Sequence, residues 1–262
     1  MNSNNSLLEE YKENGYCVVK DHKSIVYPKT ERILKDLTEI GKSIDPNFDL
    51  SNPKSVGSAN KKNFYKAMKY CVGLYDLAVT QEIVNLAKKL NCKIPTPHAC
   101  FMRTDITDEK IHQFDWHQDG PAILGSARTV CTWFPCTDVS KEMGTIEIIE
   151  KSHKNGIYKT RIRPGHDQLI TGTLEIDEKD LPEGKRIIVD LKKGEFLLFH
   201  PLFVHRSYYP ESSNYTRVTA VIRYDDASDE EHRKRGCERG IDFKNINSAP
   251  QYIEAYEMDK NY

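Results

Sequence analysis

The spacing of apolar residues changes character near residue 93. Before that point they recur at helical spacing. Ile33, Leu34, Leu37 and Ile40 predict a helix over 28–43 that opens at Pro28, where a missing backbone N–H is tolerated. Ser6-Leu7-Leu8-Glu9 has the form of a capping box, so a short helix starts there and Gly15 closes it. Tyr16-Cys17-Val18-Val19 reads as a strand. A polar stretch, DPNFDLSNPKSVGSANKKN, then leads to a second helical region. Its apolar face comprises Met68, Val72, Tyr75, Ile83, Leu86 and Leu90, and Asn91 is its stop.

After residue 93 short strands alternate with turns. Strands are predicted at 97–104, 112–119, 128–137, 145–150, 187–191, 195–200, 203–207 and 216–225. Many short strands with turn signals describe a sandwich or barrel rather than a parallel α/β sheet. The expected architecture is one domain, residues 1–262. Within it, 1–92 is a helix-and-strand support, 93–225 the β core and 226–262 a C-terminal extension. Residues 151–185 interrupt the strand rhythm with Gly156, Pro164-Gly165, Gly172 and Pro182-Glu183-Gly184. They also carry Lys154, Lys159, Arg161, Arg163 and His166, so they read as a solvated loop or as a basic lid over an anionic substrate.

Composition narrows the partners. With 38 Lys+Arg against 39 Asp+Glu the net charge is −1, without the basic excess of a nucleic-acid binder. No apolar run reaches the length of a membrane span, and the opening MNSNNSLLEEYKEN is unlike a signal peptide. The 7 cysteines are odd in number and include no CxxC pair. They predict reduced thiols in a cytoplasmic protein. Oligomeric state is not legible from the sequence.

The candidate chemistry centres on Phe114-Asp115-Trp116-His117-Gln118-Asp119-Gly120. In an extended strand, alternate side chains leave one face, so His117 and Asp119 are expected to converge on one point. They supply an imidazole and a carboxylate, two-thirds of a metal site. The stretch GEFLLFHPLFVHRSYYPESSNYTRVTAVIRY offers the remainder. His205 is followed by Ser207 on the same strand face, and Arg217 lies on the next strand. Two histidines and a carboxylate on one face of Fe(II) leave the opposite positions open, as in non-haem iron oxygenases. A chelating 2-oxo acid and O2 fill those positions. The far carboxylate of 2-oxoglutarate then needs a fixed cation, and a guanidinium fork suits it. Arg217 is the expected cation, with Ser207 adding a hydroxyl; Arg223, on the same strand face, is the alternative. His200, in LLFHP, is expected to be structural, and Trp116 a core aromatic.

These residues resemble the phytanoyl-CoA dioxygenase family of Fe(II)/2-oxoglutarate-dependent oxygenases. The likeness rests on ENGYCVV, WHQDG, Thr132-Trp133-Phe134-Pro135, MGTIEIIEKSHKNG and GEFLLFHPLFVHRS with Arg217. Lys151 stands where the family commonly has glycine. The resemblance implies a mainly β fold with N-terminal helices, a double-stranded β-helix (jelly roll, cupin-like). It implies Fe(II) at His117, Asp119 and His205, and 2-oxoglutarate at Arg217 and Ser207. Trp133 and Gln118 match positions that line the cosubstrate pocket in some members. Because halogenating relatives lack the carboxylate, Asp119 implies hydroxylation or a related oxidation. The expected activity is oxidation of an unactivated C–H bond in a small soluble, possibly anionic, substrate, with release of succinate and CO2. Two rivals share the residues: an inactive metal-binding regulatory protein on this scaffold, and a zinc hydrolase, which leaves Arg217 and Ser207 without a task.

Overall fold

Strands buried on both faces dominate the core. The computed structural model describes residues 3–52, 55, 61–105, 113–162, 174–210 and 216–237. Among the described residues, ten strands run in chain order as β1 (Tyr16–Val19), β2 (Pro95–Asp105), β3 (Val130–Pro135), β4 (Thr145–Ile149), β5 (Arg161–Ile162), β6 (Leu174–Glu175), β7 (Arg186–Ile188), β8 (Phe196–Phe199), β9 (His205–Tyr208) and β10 (Arg217–Asp226). A five-stranded sheet has the order β1-β8-β3-β10-β2, a three-stranded sheet the order β7-β4-β9, and β5 pairs with β6. All these pairings are antiparallel. Such sheets with helices beside them form the jelly roll expected from the sequence.

Alternation along each strand sorts side chains into two cores. Trp133, Leu197, Phe199 and Val221 pack with Ile146 and Ile148, which joins the two sheets. The intervening Phe134, Phe196, Leu198, Ala220 and Ile222 pack with Ile33, Leu37, Leu74, Leu77, Ile83 and Leu86 of the helices. The large sheet is therefore covered on both faces, and β3 and β10 are buried at every position.

The helical region departs from the sequence reading in several places. Helix α1 (Ser3–Asn14) begins before Ser6, so the expected capping box lies inside it; Gly15, at φ 85°, closes it as anticipated. Helix α2 (Lys23–Ile44) contains Pro28 rather than starting with it. The second helical region is three helices, α3 (Lys61–Met68), α4 (Val72–Ala78) and α5 (Gln81–Lys89). Each turn between them resets the helical phase. Val72 and Tyr75 consequently face solvent, and Leu74 and Leu77 take the buried face. Asn91, at φ 73°, does stop α5: its N–H reaches Lys88 O and that of Cys92 reaches Ala87 O, a Schellman closure.

Candidate active site

His117 is not on a regular strand. Among residues 113–119 only an isolated bridge forms, in which His117 N–H donates to His205 O at 3.0 Å and His205 N–H to His117 O at 3.1 Å. Ser207 N–H adds a bond to Phe114 O at 2.8 Å. This replaces the expected strand 112–119, whose first residue, His112, lies outside the described residues. The chain instead turns at Asp119, with φ −71° and ψ −40°, into the short helix α6 (Gly120–Ile123). Cross-strand pairing therefore puts the two imidazoles side by side, with ring centroids 4.3 Å apart. The turn swings the carboxylate between them.

Ligand atoms of His117, Asp119 and His205 all lie within 4.8 Å of one another, and all three residues are buried. His117 Nδ1 faces Asp115 O at 2.6 Å, and His205 Nδ1 faces Phe203 O at 3.0 Å. A carbonyl only accepts, so each Nδ1 carries the proton and each Nε2 presents a lone pair. Those Nε2 atoms stand 3.8 and 3.9 Å from Asp119 Oδ1. That gap is too wide for hydrogen bonds, and Oδ1 is buried without a hydrogen-bond partner. An orphaned carboxylate oxygen facing two imidazole lone pairs would be costly by itself. A divalent cation resolves it, so the residues fit Fe(II).

The second carboxylate oxygen is fixed from behind. Arg223 donates from Nε at 2.9 Å and Nη2 at 2.7 Å to Asp119 Oδ2. Burial alone would raise the Asp119 pKa; Arg223, with His205 and His117 beside it, holds the carboxyl below its usual range. Burial and the neighbouring His205 push His117 down to about 3, and burial lowers His205 as well. All three groups are thus in their ligating protonation states at neutral pH.

The cavity over this triad is lined by Phe101, Arg103, Phe114, Trp133, Ser207 and Arg223, among others. Trp133 and Ser207, both expected at the cosubstrate, are among the lining residues. Gln118 does not line it. Its side-chain amide donates to Gly156 O at 2.9 Å and Leu202 O at 2.6 Å and accepts from Tyr158 N–H at 3.0 Å. It therefore staples the metal turn to the loop after β4. Arg217 is buried and is not among the lining residues. It bonds Asp105 Oδ2 from Nε at 3.2 Å and Nη2 at 2.6 Å, Tyr209 Oη at 2.7 Å and Thr145 O at 2.5 Å. Arg103, which does line the cavity, donates to the other Asp105 oxygen at 3.1 Å. Burial would raise the Asp105 pKa, but the two guanidiniums hold it lowered.

Of the basic loop, 163–173, including Arg163 and His166, lies outside the described residues. Arg161 is paired with Asp177 at 2.7 Å and Glu175 at 3.3 Å, while Lys159 is exposed. Lys151, where the family commonly has glycine, adopts φ 65°, the left-handed conformation that favours that residue. Trp116 is buried with Ile149, Ile176 and Val204, a core aromatic as read from the sequence.

His200 stands apart from the triad. Its Nδ1 accepts from Leu202 N–H at 3.1 Å, and burial pushes its pKa down to about 3. A histidine whose folded pKa is depressed leaves the unfolded chain binding more protons. Its contribution is intact above about pH 6.5 and is lost as pH falls toward about 3, by at most ~1.4 kcal/mol per pH unit. His200→Gln should therefore flatten the acid loss of stability, as measured by urea midpoints at neutral and mildly acidic pH.

A family model described as Phytanoyl-CoA dioxygenase (PhyH) matches residues 11–218, and the chain belongs to that family. The family uses Fe(II), 2-oxoglutarate and O2, which defines an Fe(II)/2-oxoglutarate-dependent oxygenase-type enzyme acting on small molecules. Solved structures share the fold. AviO1 from Streptomyces viridochromogenes Tue57 has a TM-score of 0.56 at 16% identity, covering 87% of this chain and 97% of that one. The epimerase SnoN in complex with Fe3+, alpha ketoglutarate and nogalamycin RO gives 0.54 at 17%, covering 86% and 84%. EctD from S. alaskensis with bound Fe gives 0.54 at 14%, covering 85% and 76%. No curated protein matches the chain. Among the described residues no helix is long and apolar enough to cross a membrane.

Proposed function

We propose that the protein hydroxylates an unactivated C–H bond of a small, soluble, anionic substrate, with succinate and CO2 as co-products. His117, Asp119 and His205 hold Fe(II) in this reading. The observation that carries it is the bare Asp119 Oδ1 facing two imidazole lone pairs. The metal supplies the site at which 2-oxoglutarate and O2 react. The chain's own residues do the rest. Ser207 and Arg217 receive the distal carboxylate of the cosubstrate, Trp133 and Phe114 exclude water from the cavity, and Arg103 on its wall favours an anionic substrate.

Hydroxylation is preferred to halogenation because Asp119 keeps the position that a halide would need. Relatives of this fold include an epimerase and a carbocyclase, so product mass is the discriminating observable. Gain of one oxygen atom supports hydroxylation, loss of two hydrogens indicates ring closure or desaturation, and unchanged mass indicates epimerisation. A metabolite screen for 2-oxoglutarate-dependent succinate release supplies the substrate for that measurement. No succinate with any substrate, and no uncoupled turnover, would favour an inactive metal-binding protein. The chain works as one oxygenase domain over 1–262, with 1–92 supporting the β core of 93–225 and 226–262 as an extension. Free thiols at every described cysteine favour a reducing compartment, the cytoplasm.

The cosubstrate role of Arg217 has its own test. An ammonium cannot reproduce the paired donors of a guanidinium. Arg217→Lys should raise the 2-oxoglutarate KM by about ten-fold or more while iron stays bound. Unchanged 2-oxoglutarate dependence would remove Arg217 from this role.

A further inference from the structure

The cation assigned to the cosubstrate is already engaged by a carboxylate of the protein. Asp105 and Arg217 are direct partners in the β2–β10 register. Asp105 Oδ2 takes the Nε and Nη2 edge of the Arg217 guanidinium, the side-on grip that an incoming carboxylate would use. Thr145 O and Tyr209 Oη accept from Nη1 and Nη2. A guanidinium has five N–H bonds, and these contacts engage every one of its nitrogens. Asp105 also bridges, through Oδ1, to Arg103 on the cavity wall. One carboxylate thus serves two guanidiniums.

We propose that Asp105 is an internal counter-anion of the cosubstrate site, competing with the distal carboxylate of 2-oxoglutarate for Arg217 and so setting its affinity. The inference rests on the reading of Arg217 as the cosubstrate anchor. Without ligand, Asp105 keeps two largely buried guanidiniums paired, which an apolar pocket otherwise penalises. When the cosubstrate enters, its carboxylate must share Arg217 with Asp105 or displace it toward Arg103. Repulsion between two carboxylates in one buried cluster weakens binding. The device makes affinity for a 2-oxo acid depend on its tail: a second carboxylate meets Asp105, while a 2-oxo acid without one does not.

The test is an anaerobic calorimetric titration of 2-oxoglutarate, and separately pyruvate, into the Fe(II)-loaded wild-type protein and Asp105→Asn. Asp105→Asn should bind 2-oxoglutarate about ten-fold more tightly, with pyruvate affinity unchanged. Its cosubstrate-free melting temperature should fall, and 2-oxoglutarate should restore more of it than in the wild type. Equal or weaker binding of 2-oxoglutarate by a folded Asp105→Asn overturns the inference and makes Asp105 a support for Arg217. Should the asparagine variant fail to fold, Asp105→Ser, which leaves room for water at the guanidiniums, gives the same comparison. A wild-type protein that binds no 2-oxoglutarate, or an Arg217→Lys variant that binds it normally, instead overturns the reading of Arg217 beneath the proposal.

Discussion

Asp119→Ala should abolish succinate formation and, unlike a substitution of a ligand histidine, also leave a charge stranded. Turnover is lost because the carboxylate is one of three buried groups that converge on the metal position. The stranded charge is Arg223, 1% exposed, whose guanidinium donates twice to Asp119 Oδ2. Removing one partner of a buried ion pair costs about 3–5 kcal/mol, because the other stays desolvated without its counter-charge. The double variant Asp119→Ala with Arg223→Leu should recover most of that stability and none of the turnover. Urea unfolding of the two single variants and the double variant measures the coupling. Additive losses would show that the pair is not coupled as the geometry requires.

Arg223→Leu alone is the second large effect. It removes the group that fixes Oδ2 and thereby aims Oδ1 between the imidazoles. Residues that orient a metal ligand typically contribute 10–100-fold to affinity. Fe(II) should therefore bind Arg223→Leu about 10–100-fold more weakly, with stability also lowered by the unpaired buried carboxylate. Arg223→Lys should recover charge pairing but not the two-pronged grip, so its stability should return further than its metal affinity. Competition with a chelator of known affinity reads the metal term directly. Wild-type affinity in both variants would reduce Arg223 to a structural cation.

The metal triad was legible in the sequence because its pattern is local. His117 and Asp119 sit in one heptapeptide, and His205 is marked by Ser207 and Arg217 after a β-rich interval. The means of convergence was not legible. The sequence predicts an extended strand, whereas the structure uses one bridge to His205 and a helical turn at Asp119. Both bring the groups together, and nothing in FDWHQDG distinguishes them. Arg103 and Asp105 were invisible for another reason. Arg103-Thr104-Asp105 reads as an ordinary strand end, and its meaning depends on the register that sets Asp105 opposite Arg217. Charged residues at alternate positions of a strand with apolar neighbours are the available signal. From the sequence Arg223 reads only as a substitute anchor for 2-oxoglutarate; its bond to Asp119 depends on the β10 register and the turn together. The errors at Val72 and Tyr75 share a cause, since short turns on either side of α4 reset a helical phase that periodicity had carried straight through.

The central claim is that His117, Asp119 and His205 hold Fe(II) in a form that 2-oxoglutarate chelates. Anaerobic reconstitution with Fe(II), followed by addition of 2-oxoglutarate and visible absorption spectroscopy, tests it most directly. A metal-to-ligand charge-transfer band should appear in the wild-type protein only when both are present. It should be absent in His117→Ala, Asp119→Ala and His205→Ala and retained in His200→Ala. A wild-type protein that shows no band, or a band that survives loss of His205 and vanishes with His200, would contradict the account.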